Sequence, residues 1–116
     1  MKRFSFPKSK RLVSNRQFRA VLAHRRRRSD GLLTLYVAEN DCGHSRLGVS
    51  VGKAHGNAVV RNRLKRLLRE AFRQSQDQIP QGFDYVLMFD SRRRSGDPPT
   101  FEQVKTSFLR LLQGLK

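Results

Sequence analysis

The sequence predicts a small α/β fold of the α+β kind, in which helices alternate with short β runs. Three observations carry this. Three stretches place apolar residues at helical spacing, and three short runs rich in β-formers are interleaved with them. The length, 116 residues, closes one core but not two, so 1–116 is read as a single domain.

Residues 1–11 are basic, lack periodicity and contain Pro7, which predicts an extended arm. Ser14 and Gln17 match a capping box that starts a first helix over 14–23. Val13 and Phe18 are spaced as a hydrophobic staple, and Phe18, Val21 and Leu22 form that helix's apolar stripe. Arg25, Arg26, Arg27 and Arg28 then fall at its C-terminal end, where the helix dipole tolerates cations; they read either as a solvated run or as phosphate contacts. Residues 32–38 and 46–53 are β-forming, and Asn40, Asp41, Cys42 and Gly43 supply turn chemistry between them, which predicts a hairpin. In the second run Leu47, Val49 and Val51 share one face, while Gly48, Ser50 and Gly52 alternate onto the other and leave room for a helix or a ligand. A long helix follows over 57–73, opened by Gly56 and capped by Asn57, with Val60, Leu64, Leu67, Leu68, Ala71 and Phe72 as its core stripe. Residues 83–89 form the next β run, followed by a polar loop over 90–99. Thr100 and Gln103 make a second capping box, and Val104, Phe108, Leu111, Leu112 and Leu115 are the buried stripe of the last helix.

Charge narrows the partner. Twenty-five Lys and Arg against nine Asp and Glu give a formal net charge of +16, a self-repulsion that calls for a polyanion, and nucleic acid is the first candidate. No apolar run approaches the roughly 18 residues of a spanning helix. Met1, Lys2 and Arg3 resemble the start of a signal segment, but Phe4 to Lys8 bring a proline and more charge where the apolar stretch should stand, so a cytoplasmic protein is expected. Cys42 is the only cysteine and reads as an ordinary loop thiol.

The 57–73 helix concentrates the charge. Beside its apolar stripe, Asn62, Lys65, Arg66, Arg69 and Arg73 share one arc, with Arg61 on the border and Arg63 toward the opposite flank. Glu70 alone can neutralise, through Arg66 or Arg73. A solvated helix face is the plain alternative. Against it, Arg61 and Arg63 sit near the N-terminus with no early carboxylate, contrary to the dipole, and arginine outnumbers lysine, which suits bidentate phosphate binding.

The run Gly48-Val49-Ser50-Val51-Gly52-Lys53, then Gly56-Asn57-Ala58-Val59, then Arg61-Asn62-Arg63-Leu64-Lys65-Arg66-Leu67-Leu68-Arg69-Glu70 closely resembles the RNR signature of the bacterial ribonuclease P protein component. Phe4, Pro7, Phe18, Leu35, Tyr36, the 83–89 run and the final helix agree in order and spacing, so the resemblance spans nearly the whole chain. It implies an α/β (α+β) two-layer sandwich, a small mixed sheet of about four strands with three helices, and an unusual left-handed β-α-β crossover through the RNR helix, against a rule obeyed in about 98% of cases. It further implies that the chain is the protein subunit of an endoribonuclease, binding a catalytic RNA and the 5′ leader of precursor tRNA during leader removal. Carried over, Arg61, Asn62, Arg63, Lys65, Arg66, Arg69 and Arg73 become the RNA-contact set; Phe18, Tyr36, Ser50, Lys53 and Asn57 become the leader cleft. Two positions depart from the family pattern: Leu22 stands where many relatives carry a second aromatic, and Ala54 where a second lysine is frequent.

For Phe18 and Tyr36 core packing is the competing role. No catalytic residue and no protein-held metal is assigned. His24, His44 and His55 lack ligand-like spacing and are expected at the surface or near RNA, and strand geometry puts Asp84 and Asp90 about 20 Å apart, too far to grip a metal pair. The resemblance leaves the chemistry to the RNA, with Mg2+ bound mainly by RNA and substrate. A ribosomal or RNA-chaperone protein is the rival reading; a DNA-binding module lacks a helix-turn-helix or zinc-finger pattern here, and a membrane partner is not expected.

Overall fold

The computed structural model describes residues 15–23, 26–40, 43–90 and 99–114. The predicted arm, Ser14 and Val13 of the first helix start, His24, Arg25, Cys42, most of the 90–99 loop and Leu115 lie outside the described residues. In chain order the elements are α1 (Asn15–Ala23), β1 (Arg27–Ser29), β2 (Leu33–Glu39), β3 (Arg46–Ser50), α2 (Ala58–Gln74), β4 (Phe83–Phe89) and α3 (Phe101–Gly114). The class is α+β with a mixed sheet, as expected.

The sheet order is β1-β2-β4-β3, with β2 antiparallel to β1 and β4, and β3 parallel to β4. The expected hairpin between 32–38 and 46–53 is therefore absent: β4 is inserted between those strands. The reason lies in β4 itself, whose sequence FDYVLMF is buried on both faces for most of its length and so belongs inside the sheet. The hairpin that does form joins β1 to β2, pairing Arg28 with Leu35. Arg27 and Arg28 thus stand in an edge strand rather than at the helix end, and charged side chains stay solvated there.

Strand alternation divides the faces. On one, Leu33, Leu35, Val37, Leu47, Tyr85, Leu87 and Phe89 meet Leu64, Leu68, Ala71 and Phe72 of α2 and Val104, Phe108, Leu111 and Leu112 of α3, which gives the two-layer body. Aromatic contacts tie the layers, with Phe72 at 5.9 Å from Tyr85 and 6.0 Å from Phe108 between ring centres. The other face carries α1, seated through Val21 on Ala38 and Val86. The α3 capping box is formed as expected: the Gln103 amide donates to Thr100 Oγ1 and the Thr100 amide to Gln103 Oε1. Val60 does not join the core stripe; it is 37% exposed and rests against Gly56 in its own lead-in turn.

Candidate nucleic-acid interface

Helix α2 begins where Asn57 stops the extended chain. Its Oδ1 accepts from the Val60 amide at 3.0 Å, satisfying one of the orphan donors of the first turn. No acidic residue follows in that turn, so the positive end of the dipole is met by more positive charge. With Leu64, Leu68, Ala71 and Phe72 turned inward, Asn62, Arg63 and Arg66 are exposed, while Arg61, Lys65 and Arg69 are half-buried at the flanks. Glu70 is fully engaged by Arg73, whose Nε and NH2 reach its two oxygens at 2.6 Å each. The Arg73 hydrogen bond holds the Glu70 carboxyl below the ordinary value against a smaller effect of burial. That pair withdraws Arg73 and the helix's one acid together, leaving Arg63 and Arg66 without an ion pair among the described residues. A cationic face kept unneutralised is costly for folding alone and suited to phosphate.

The second feature lies on the α1 face of the sheet. Gly48, Val86 and Tyr36 form one row across β3, β4 and β2. Phe18 from α1 rests directly on Gly48, where an added Cβ would come within 2.5 Å of its Cζ. The small face of β3 therefore admits a helix side chain, one of the two occupants its alternation allows. Beside this contact a groove of about 450 Å³ is lined by Phe18, Arg19, Val49 and Ser50. It brings Phe18 and Ser50 together. Tyr36 stands two strands away at the other end of the row, half-buried against the Val21 cluster, with its hydroxyl accepting from Arg27 NH1 at 3.5 Å. Lys53 is exposed in a 3-10 turn after β3, and Asn57 is exposed with its side-chain oxygen spent on the cap. Arg19 and Gly48 were missed as site residues. Arg19 carries no sequence signal beyond adjacency to Phe18, whereas Gly48 was legible as part of the small face.

Asp84 and His55 are committed within the fold. Asp84 is buried, held by Arg46 through Nε and NH2 at 2.7 Å each and by Asn40 Nδ2 at 2.7 Å. His55 corrects the surface expectation: it is buried, its ring centre 5.9 Å from that of Phe89, because the 3-10 turn Lys53–His55 folds it against the end of β4. Among the described residues no three His, Cys, Asp or Glu side chains gather as a metal site. No helix there is long and apolar enough to cross a membrane.

The family model described as Ribonuclease P matches residues 6–116. The ribonuclease P protein component of Clostridium botulinum (strain Loch Maree / Type A3) is 37% identical over 107 residues, covering 91% of this chain and 94% of the relative. That of Clostridium kluyveri is 39% identical over 103 residues, covering 89% and 91%. Among solved structures, the Staphylococcus aureus RNase P protein superposes with a TM-score of 0.80 at 28% identity, covering 94% of this chain and 97% of that one. The RNase P protein from Thermotoga maritima gives 0.78 at 29% identity, covering 91% and 97%. With the RNR helix, the strand order and the α1 face all in place, the chain belongs to the ribonuclease P protein family.

Proposed function

We propose that this chain is the protein subunit of ribonuclease P, binding a catalytic RNA through α2 and the single-stranded 5′ leader of precursor tRNA on the α1 face. The observation that carries the reading is the charge division on α2: Arg73 consumes Glu70, and Arg63 and Arg66 stay exposed without an ion pair among the described residues. In this reading Arg61, Asn62, Arg63, Lys65, Arg66 and Arg69 meet phosphates and bases of the RNA, with guanidinium forks giving bidentate contacts. Phe18 and Tyr36 offer faces on which unpaired leader bases stack, and Ser50, Lys53 and Asn57 border the same path. Sequestering a flexible leader in this way raises substrate affinity and positions the cut site, which can lower a barrier by several kcal/mol without any reacting group on the protein. Cleavage itself is assigned to the RNA, with Mg2+ held mainly by RNA and substrate. The described side chains do not suit that metal, since Asp84 is already committed to Arg46 and Asn40. The complex would work in the cytoplasm, with no membrane or DNA partner.

The test compares substrates. Phe18→Leu and Tyr36→Leu keep apolar bulk but remove the aromatic face, a loss of about 1–3 kcal/mol per stacked base. The reconstituted holoenzyme should bind precursor tRNA more weakly and mature tRNA as before, while protein without RNA should not cleave. Equal weakening for both RNAs would mark these aromatics as core residues, and RNA-free cleavage at the mature 5′ end would refute the assignment of chemistry.

A further inference from the structure

Helix α1 carries two exposed arginines, Arg16 and Arg19, that the fold places differently. Phe18 rests on Gly48, which fixes how the helix is rotated on the sheet. At about 100° per residue Arg19 then falls on a flank of the helix, whereas Arg16, about 160° from Phe18, falls on the solvent side. The flank is the one toward β3, because Arg19 lines the groove with Phe18, Val49 and Ser50.

The groove divides by chemistry. Phe18 and Val49 are apolar and half-buried; Arg19 and Ser50 are polar and exposed, and no carboxylate lines the groove with them. Neither the Arg19 guanidinium nor the Ser50 hydroxyl has a hydrogen-bond or ion-pair partner among the described residues. The Phe18 ring meets Gly48 by its tip, Cζ lying nearest to where a Cβ would stand, so that contact does not use the ring faces. An open guanidinium fork and a hydroxyl donor beside an aromatic ring match the parts of one nucleotide, with phosphate oxygens for the donors and a base for the ring. A solvated arginine is the plain alternative, and it describes Arg16. It does not explain a cation set into the wall of a groove that holds no acid.

We propose that Arg19 is a positioning residue for the leader: with the Ser50 hydroxyl it holds one backbone phosphate beside the base stacked on Phe18, and so fixes which leader nucleotide enters the groove. The inference rests on the reading that the leader lies on the α1 face. A phosphate contact carries no base preference, so it sets register rather than sequence. β3 is an edge strand, so no further strand walls the groove on that side and a polymer can run on past it. A nucleotide of the catalytic RNA is disfavoured as occupant, because the cations assigned to that RNA lie on α2, packed against the opposite face of the sheet.

The test uses the reconstituted holoenzyme and precursor tRNA whose leader carries one uncharged methylphosphonate linkage, moved along the leader a position at a time. With the unaltered protein, one linkage should weaken binding about fivefold more than its neighbours do. In Arg19→Gln that linkage should no longer stand out. The same variant should bind unmodified precursor about fivefold more weakly, with a log–log salt slope lower by about 0.7, and mature tRNA as before. Arg19→Lys should keep the slope, and Arg16→Gln, the same charge change on the solvent side, should keep the linkage profile. A flat profile with the unaltered protein would overturn the anchor without reference to how any variant folds. So would loss of the profile in Arg16→Gln as well, which would make the effect one of general charge. Equal weakening of precursor and mature tRNA by Arg19→Gln, or weakened binding of the catalytic RNA without substrate, would place Arg19 against the RNA subunit and overturn the choice of occupant. If Phe18→Leu separates precursor from mature tRNA and Arg19→Gln does not, the anchor alone fails; if neither separates them, the leader reading fails with it.

Discussion

Gly48→Ala should dislodge Phe18 with no change in charge or surface polarity. The added Cβ would stand 2.5, 2.8 and 3.0 Å from Cζ, Cε1 and Cε2 of the ring, whereas carbon atoms pack best near 3.5–4.0 Å. The ring must therefore retreat by about 1 Å, and it is rooted on a helix of nine residues held by a small cluster around Val21, Ala38 and Val86. Overpacking of this kind costs about 1–3 kcal/mol, and most of it should appear as loosening of α1 rather than of the main core on the opposite face. Urea unfolding gives the size of the loss, and hydrogen exchange its location. A double-mutant cycle with Phe18→Leu isolates the clash, because the shorter side chain no longer meets the new methyl; the coupling should be at least about 1 kcal/mol. Additive effects, or protection lost evenly through α2 and α3, would refute the contact as the cause. The same variant should weaken holoenzyme binding of leader-bearing substrate selectively.

Three further outcomes are expected. Arg66→Ala or Arg69→Ala should flatten the salt dependence of RNA binding by about one unit each, measured by titration at several salt concentrations. Arg46→Met strands the Asp84 carboxylate with Asn40 alone and should cost about 3 kcal/mol in chemical denaturation. For Asp30, burial pushes the carboxyl up, but hydrogen bonds from Ser107, Leu33 and Leu32, with Arg110 nearby, outweigh it and hold the carboxyl below its ordinary 3.8. A depressed carboxyl contributes stability above its unfolded value that is lost as pH falls through the folded one. Asp30→Asn should therefore cost about 1–2 kcal/mol at neutral pH, a gap that closes progressively below pH 3.8.

The helices were legible because their signals are local. Asn57 and Thr100 cap where the sequence places them, and Leu64, Leu68, Phe72, Val104 and Phe108 fall inward at the helical period. Strand order was not legible from turn chemistry, which reports only that the chain reverses, not what later strand fills the gap. The signal that would have found it was the near-continuous apolar run of β4, which marks an interior strand. β1 escaped because an edge strand of arginines has no apolar alternation to read. On the site, the one-sided charge of α2 and the small face of β3 could be read directly. The groove could not, since it depends on where α1 lands across the sheet.

That landing explains how one short sheet serves two demands. Its α2–α3 face takes the large apolar side chains of β2 and β4 and carries most of the burial that offsets chain entropy. Its α1 face sets small groups, Ala38, Gly48, Ser50 and Val86, beside Tyr36 and Met88, and α1 packs on it through Phe18, Val21 and Leu22. Cover stops short of the β3 end, so the groove persists there without exposing the main core. The exposed cations of α2 and β1 lie outside both packed faces, where solvent relieves their mutual repulsion.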